Sequence, residues 1–175
     1  MLQQIFRRSR WSEPVHDIYN RIVKRSREPC FYKEFCVPDT LDGRFEMLSL
    51  HLFLVLRRLR RDAQTASKIS QDLFDYMFED MDLSLREMGA GDMGVGKRIK
   101  AMVQAFYGRV ASYEEGLADP GGGLEAALKR NVYGMDAEYA PVAMLASYVR
   151  AQDAHLETIS QTNIEIADFE FGAVL

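Results

Sequence analysis

Apolar residues recur at helical spacing along most of this chain, and the strict alternation of a half-buried strand is nearly absent. Ile18, Ile22 and Val23 share one side of a segment that Ser12 can cap, with Pro14 in its first turn and Pro29 as its stop. The spacing predicts a helix there, ending near Arg27. Residues 31–37 form a short aromatic segment halted by Pro38. Asp39 and Thr40 then offer caps for a long helix to Arg61, on which Phe45, Leu48, Leu52, Val55, Leu56 and Leu59 keep helical register. Its middle is apolar nearly all round, the mark of a central, buried helix.

A turn at 62–66 leads to a helix over 67–88 with Phe74, Met77, Phe78, Met81, Leu85 and Met88 on its apolar face. After a glycine-rich stretch, Val95, Ile99, Met102, Phe106, Tyr113 and Leu117 resume the helical period. Asp119-Pro-Gly-Gly-Gly123 is the clearest loop. Two further helices are expected over 124–133 and 140–160, with Pro141 in a first turn. Residues 164–175 are acidic and loosely alternating, the pattern of an extended tail. The expected fold is all-α, one compact domain of about six helices. Its parts are an N-terminal basic arm and first helix (1–30), a helical domain (31–160) and an acidic tail (161–175).

Composition narrows the class. At 175 residues, 47% hydrophobic and 27% charged, the chain has the make-up of an ordinary globular protein. Its net charge of -4 is uneven: residues 1–61 carry 13 Lys/Arg against 7 Asp/Glu, and residues 62–175 carry 9 against 19. Such polarity suits a partner surface, or two halves that neutralise each other. Cys30 and Cys36 form neither a disulfide framework nor a C-x-x-C site, which points to a reducing compartment. Residues 1–11 lack the apolar centre of a secretory signal. The longest apolar run, 48–56, contains Ser49 and His51 and is far shorter than the ~20 residues of a spanning helix. Residues 1–12 hold Arg7, Arg8 and Arg10 among Leu2, Ile5, Phe6 and Trp11. Two readings of them stand open: an arm on an anionic membrane surface, or a frayed terminus.

The segment Arg86-Glu-Met-Gly-Ala-Gly-Asp-Met-Gly-Val-Gly-Lys-Arg98 fits two phosphate-binding spacings, G-x-G-x-x-G and G-x-x-x-x-G-K. Both need a strand before the glycines. Here a strongly helical segment precedes them, so Gly89 reads as the left-handed residue ending that helix. Arg98 also stands where a magnesium-binding hydroxyl belongs. Lys97, Arg98 and Lys100 are then expected in the first turns of the next helix, where the dipole disfavours cations. An anionic partner could compensate, or Asp80, Glu87 and Asp92 could neutralise them within the fold.

Asp72, Asp75, Glu79 and Asp82 form one ridge along a helix. Carboxylate metal sites in bundles add Glu-x-x-His motifs, which this chain lacks, so neither a metal nor another cofactor is expected. The ridge is a solvated face, or it meets Arg57, Arg58, Arg60 and Arg61. His51 reads as a hydrogen-bonded core histidine, and no nucleophile–base pair can be argued. The methionines of the middle helices, Met47, Met77, Met81, Met88, Met93 and Met102, are either core or a face that adapts to apolar partners.

Val37-Pro-Asp-Thr-Leu-Asp-Gly-Arg-Phe-Glu46, the helix from Leu50 to Arg60, Leu73-Phe with Met77-Phe-Glu-Asp-Met-Asp82, Leu85-Arg-Glu-Met-Gly with the glycines up to Arg98, and Ala105-Phe-Tyr-Gly-Arg109 form a specific combination. With them the chain resembles the ubiquinol–cytochrome c chaperone family, over 31–117 and more weakly to 149. The resemblance implies a non-enzymatic chaperone that binds newly made cytochrome b and supports assembly of the ubiquinol–cytochrome c reductase complex. It implies a bacterial member in the cytoplasm, peripheral at the inner membrane, with a small partner subunit or a ribosome as further partners and no specific DNA binding. The polar residues that match are Arg44, Glu46, Arg58, Asp80, Asp82, Arg86, Glu87, Asp92, Lys97, Arg98 and Arg109, which serve either client contact or internal pairing. Lys97, Arg98 and Lys100 are expected to face an anionic surface, and the ridge Asp72, Asp75, Glu79 and Asp82 a basic partner. The rival reading is a helical module that binds anionic membranes or RNA.

Overall fold

The computed structural model describes residues 11–61, 67–89, 91–134 and 140–174. The basic arm before Trp11, the turn at 62–66 and the side chains of Asp92 and Met93 lie outside the described residues. The chain forms helices α1 (Glu13–Ser26), α2 (Pro29–Lys33), α3 (Leu41–Arg60), α4 (Ser67–Glu87), α5 (Asp92–Ala118), α6 (Gly123–Leu128), α7 (Val142–Glu157) and α8 (Gln161–Glu165). A π-helical turn, Lys129–Tyr133, continues α6. No strand occurs among the described residues, and the expected all-α domain is what forms.

Each long helix starts for a local reason. Thr40 holds extended backbone and its hydroxyl accepts the Gly43 amide hydrogen at 3.1 Å, capping α3. Pro14 occupies the first turn of α1, where a missing amide hydrogen costs nothing. Gly89 takes φ +86 and ends the α4 segment as a left-handed residue, the conformation glycine adopts without strain.

Residues 45–56 of α3 are buried without a break. Around this central rod pack α1, α4, α7, α8 and the π turn. Contacts from α5 reach it through side chains: Glu46 with Arg109, Phe53 with Tyr113 at 5.5 Å, and Arg57 with Glu114. A tight hairpin joins α5 to α6, because Gly116 lets the backbones meet; a Cβ there would sit 2.6 Å from the Leu124 backbone.

Three local expectations are revised. The aromatic segment over 31–37 begins inside a helix, since Pro29 starts α2 as well as ending α1. Pro141 caps α7 from outside rather than sitting in its first turn. The acidic C-terminal segment does not leave the body: Ile164, Ala167 and Phe169 are buried. Gln152 of α7 clasps Gly172, its amide donating to the carbonyl at 3.2 Å and its carbonyl accepting the backbone hydrogen at 2.8 Å. Alternating apolar residues in that tail therefore serve packing.

Candidate functional site

The polar residues singled out in the sequence divide into two sets. In the first, the partner is internal. Glu46, buried on α3, takes a two-pronged hydrogen bond from Arg109, whose guanidinium also lies 5.6 Å from the Phe45 ring centre. Burial pushes the Glu46 carboxyl above its ordinary value, and the Arg109 fork opposes that rise. Arg58 donates to the Leu156 and Ile159 carbonyls at 3.2 and 3.0 Å, closing the C-terminal end of α7. Asp80 accepts the Tyr19 hydroxyl at 2.9 Å and Glu79 the Trp11 indole at 2.9 Å, which ties α4 to α1. Asp82 and Arg86 pair along α4.

The acidic ridge does not meet the arginine cluster. Asp72 pairs with Lys68 and Asp75 accepts from Gln71, both on α4 itself. Arg57 goes to Glu114 and Asp153, and Arg61 to Glu157. Those arginines cross-link α3 to α5 and α7, an arrangement that sequence spacing cannot reveal.

The glycine motif also resolves. A helix precedes it, not a strand, and Gly91 is the residue before α5. Since α5 begins at Asp92, Lys97, Arg98 and Lys100 lie beyond its first turn, where the dipole has faded. The expected clash of cations with the helix start therefore does not arise. Arg98 lies 3.8 Å from Asp42, an exposed partner. Lys97 and Lys100 are exposed and carry no ion pair among the described residues.

The second set borders a groove. Where the C-terminal ends of α1 and α4 meet the start of α3 and the side of α5, a trough of about 340 Å³ opens. Val23, Phe45, Leu48 and Leu85 form its floor, and Met81 and Met102 its half-buried walls. Leu41 and Met88 stand on its lips, 37% and 59% exposed. Singly such exposure is ordinary, but here both lips adjoin the same apolar floor and form one patch with it. Charge sits only on the rim: Arg27 and Arg44 against Glu87. Arg44 is held by Asp39 at 2.7 Å, whose carboxyl it keeps below the ordinary range. Arg27, exposed, has no ion pair among the described residues. Sequence reasoning named Arg44, Glu87 and Arg98 near this place and missed Arg27. The periodic methionines were the available signal, yet helical spacing alone does not separate a core methionine from a groove methionine.

No group of His, Cys, Asp and Glu among the described residues has the geometry to hold a metal ion. None of their helices is long and apolar enough to cross a membrane. What the architecture presents is a helical body with a methionine-walled apolar trough.

Residues 33–171 match the ubiquinol-cytochrome C chaperone family, and the chain belongs to that family. It is similar to ubiquinol-cytochrome c reductase complex assembly factor 1 of Mus musculus, 26% identical over 155 residues, covering 87% of this chain and 52% of the relative. Mitochondrial protein CBP3 of Saccharomyces cerevisiae is 25% identical over 146 residues, 81% of this chain and 44% of the relative. The chain thus spans about half the length of these curated relatives. Among solved structures, the Cbp3 homolog from Brucella abortus is 41% identical, with TM-score 0.84 over 99% of this chain and 98% of that one. The family match runs beyond the middle helices to the C-terminal segment, in keeping with the packing of that segment on the body.

Proposed function

We propose that this protein is a non-enzymatic assembly factor that binds newly made cytochrome b and supports assembly of the ubiquinol–cytochrome c reductase complex. The family match over residues 33–171, which spans most of the trough, carries this reading. A cytochrome b client consists of apolar helices joined by basic cytoplasmic loops. The trough suits the first feature, because methionine walls repack around varied apolar shapes. Asp75, the exposed carboxylate of the α4 ridge, suits the second.

Client contact falls in this reading to Arg44 and Glu87 at the trough, with the exposed Arg98, Lys97 and Lys100 of α5. Glu46, Arg58, Asp80 and Arg109 serve the fold. Work on a membrane-protein client places the chaperone at the cytoplasmic face of the bacterial inner membrane, where a second subunit or a ribosome can join it.

The test is the haem absorption spectrum of membranes from a strain lacking this protein, with and without a restored copy. Loss of the cytochrome b band, recovered with the copy, is expected. An unchanged band in cells that depend on the complex overturns the proposal.

A further inference from the structure

We infer that the outer face of α5 pairs with the same face of a second copy of this chain. The two helices run antiparallel, so that Lys97 of each copy meets Glu115 of the other.

The face itself supplies the first argument. α5 packs on α4 and α6, which leaves Lys97, Gln104, Ala111 and Glu115 on one exposed line along its outer side. Tyr107 stands beside that line, 58% exposed, with its ring braced by Phe74 at 5.4 Å. An aromatic side chain held in this way offers contact area at little cost in rotamer freedom. Gly108 lies in the interior of α5, where glycine is less favourable than alanine, yet a Cβ there would meet nothing within 4 Å. The single chain has no use for the missing side chain. A second helix crossing at that point does, since the side chains at a crossing set how closely two helices approach.

Charge selects the occupant. No residue one helical turn either side of Lys97 is acidic, and none one turn either side of Glu115 is basic. Neither residue makes an ion pair among the described residues, whereas Glu114 is held by Arg57 and Arg98 approaches Asp42. The exposed line therefore carries an unpaired cation at one end and an unpaired anion at the other. They lie on the same side of the helix, about 27 Å apart. Lys100 adds a second cation to the basic end. A surface of one sign would attract one end of this line and repel the other. A parallel copy would set like on like. A copy reversed about Phe106, midway between the two charges, sets Lys97 on Glu115 twice and brings Gln104 opposite Gly108.

Met102, on the wall of the trough, lies about 140° round α5 from Lys97, so the trough stays open in the pair. The inference thus stands apart from the client reading and shares only Lys97 with it.

The test is sedimentation of the full chain over a range of concentrations and at two salt levels. A dimer is expected, and it should weaken as salt screens its end pairs. Lys97→Glu and Glu115→Lys should each weaken it by about tenfold or more, because the symmetry turns two attractions into two repulsions at once. The melting curve of dilute protein should not move in either variant, since neither side chain has an ionic partner within the chain. Mixed in equal amounts, the two variants should pair again: one then offers carboxylates at both ends of its line and the other ammonium groups. Gly108→Gln should weaken the dimer while raising the melting temperature of dilute protein, a split that damage to the fold does not produce. A chain that is monomeric at every concentration overturns the inference. So does a dimer indifferent to both charge reversals, or a mixture of the two variants that fails to pair. Monomers that bind phosphatidylglycerol vesicles through Lys97 would overturn it too, making the face a lipid surface. Each of these failures leaves the haem-spectrum test of the client reading untouched.

Discussion

Two hollows flank α1, nearly equal in size and opposite in character. One, of about 370 Å³, lies between α1 and the C-terminal segment. Its charged lining carries both signs, and two of its pairs are made within it: Arg21 with Glu170, and Arg25 with Glu28 at 3.0 Å. The other is the apolar trough of about 340 Å³, with its unanswered cation. Asp17, Arg21, Lys24 and Glu28 recur at steps of one helical turn and face the first hollow, while Val23 and Arg27 face the second. One helix thus presents arginine in two states. Where the C-terminal segment folds back, Arg21 and Arg25 find acidic mates, while Lys24 carries no ion pair among the described residues. Where no segment of the described chain folds back, apolar side chains and an arginine are left exposed together. The paired hollow holds the C-terminal segment to the body, whereas the other leaves apolar surface open to solvent.

The comparison can be broken most severely from beneath the polar hollow. His51 on α3 is fully enclosed, with Nδ1 2.7 Å from the Met47 carbonyl and Nε2 2.7 Å from the Tyr148 hydroxyl, which in turn accepts from Arg25 at 3.0 Å. A carbonyl can only accept, so Nδ1 carries the hydrogen and Nε2 receives the tyrosine's. Burial holds this imidazole neutral, lowering its pKa from 6.5 to about 4. The unfolded chain then takes up the proton first as pH falls. Stability is intact above 6.5 and declines as pH drops towards 4, by about 3 kcal/mol in total from this group. Urea unfolding across that window should show the decline, and His51→Gln should flatten it. Parallel slopes in the two proteins would remove the assignment.

A smaller effect is expected at Arg25, which donates to Tyr148 and to the Gly172 carbonyl. Arg25→Ala removes charge-assisted bonds that hold the C-terminal segment, at a cost of about 2 kcal/mol and a melting point lower by about 6 °C. Hydrogen exchange should quicken over 166–174. The smallest effect on stability belongs to the trough. Met88→Glu adds a charge to a side chain already 59% exposed, so melting should move by less than about 2 °C while cytochrome b assembly in cells falls. A large loss of stability there would make Met88 a packing residue and erase the contrast between the hollows.

Much of this was legible in the sequence. Helical periodicity marked the long helices, and the unbroken apolar middle of α3 marked the centre. Gly89 was readable as a left-handed stop, because only helix could precede it. The position of α5 was misjudged: its start at Asp92, before Lys97, depends on which glycines the helix absorbs, and intrinsic propensity disfavours Gly94 and Gly96 there. The charged residues were legible as a set but not by role. Arg58 and Arg61 stand three apart, yet one closes α7 carbonyls and the other meets Glu157.

By itself, then, the order of residues determined the all-α class, the central helix and the family, since local periodicity and specific motifs need no distant partner to be recognised. Tertiary structure alone decided that Arg109 belongs to Glu46, that the acidic C-terminus is part of the body and that Arg27 stands at the mouth of an apolar trough. Each of these joins residues far apart in the chain. Such meetings are set by how helices pack round α3, a collective outcome of burial that no short window of sequence contains.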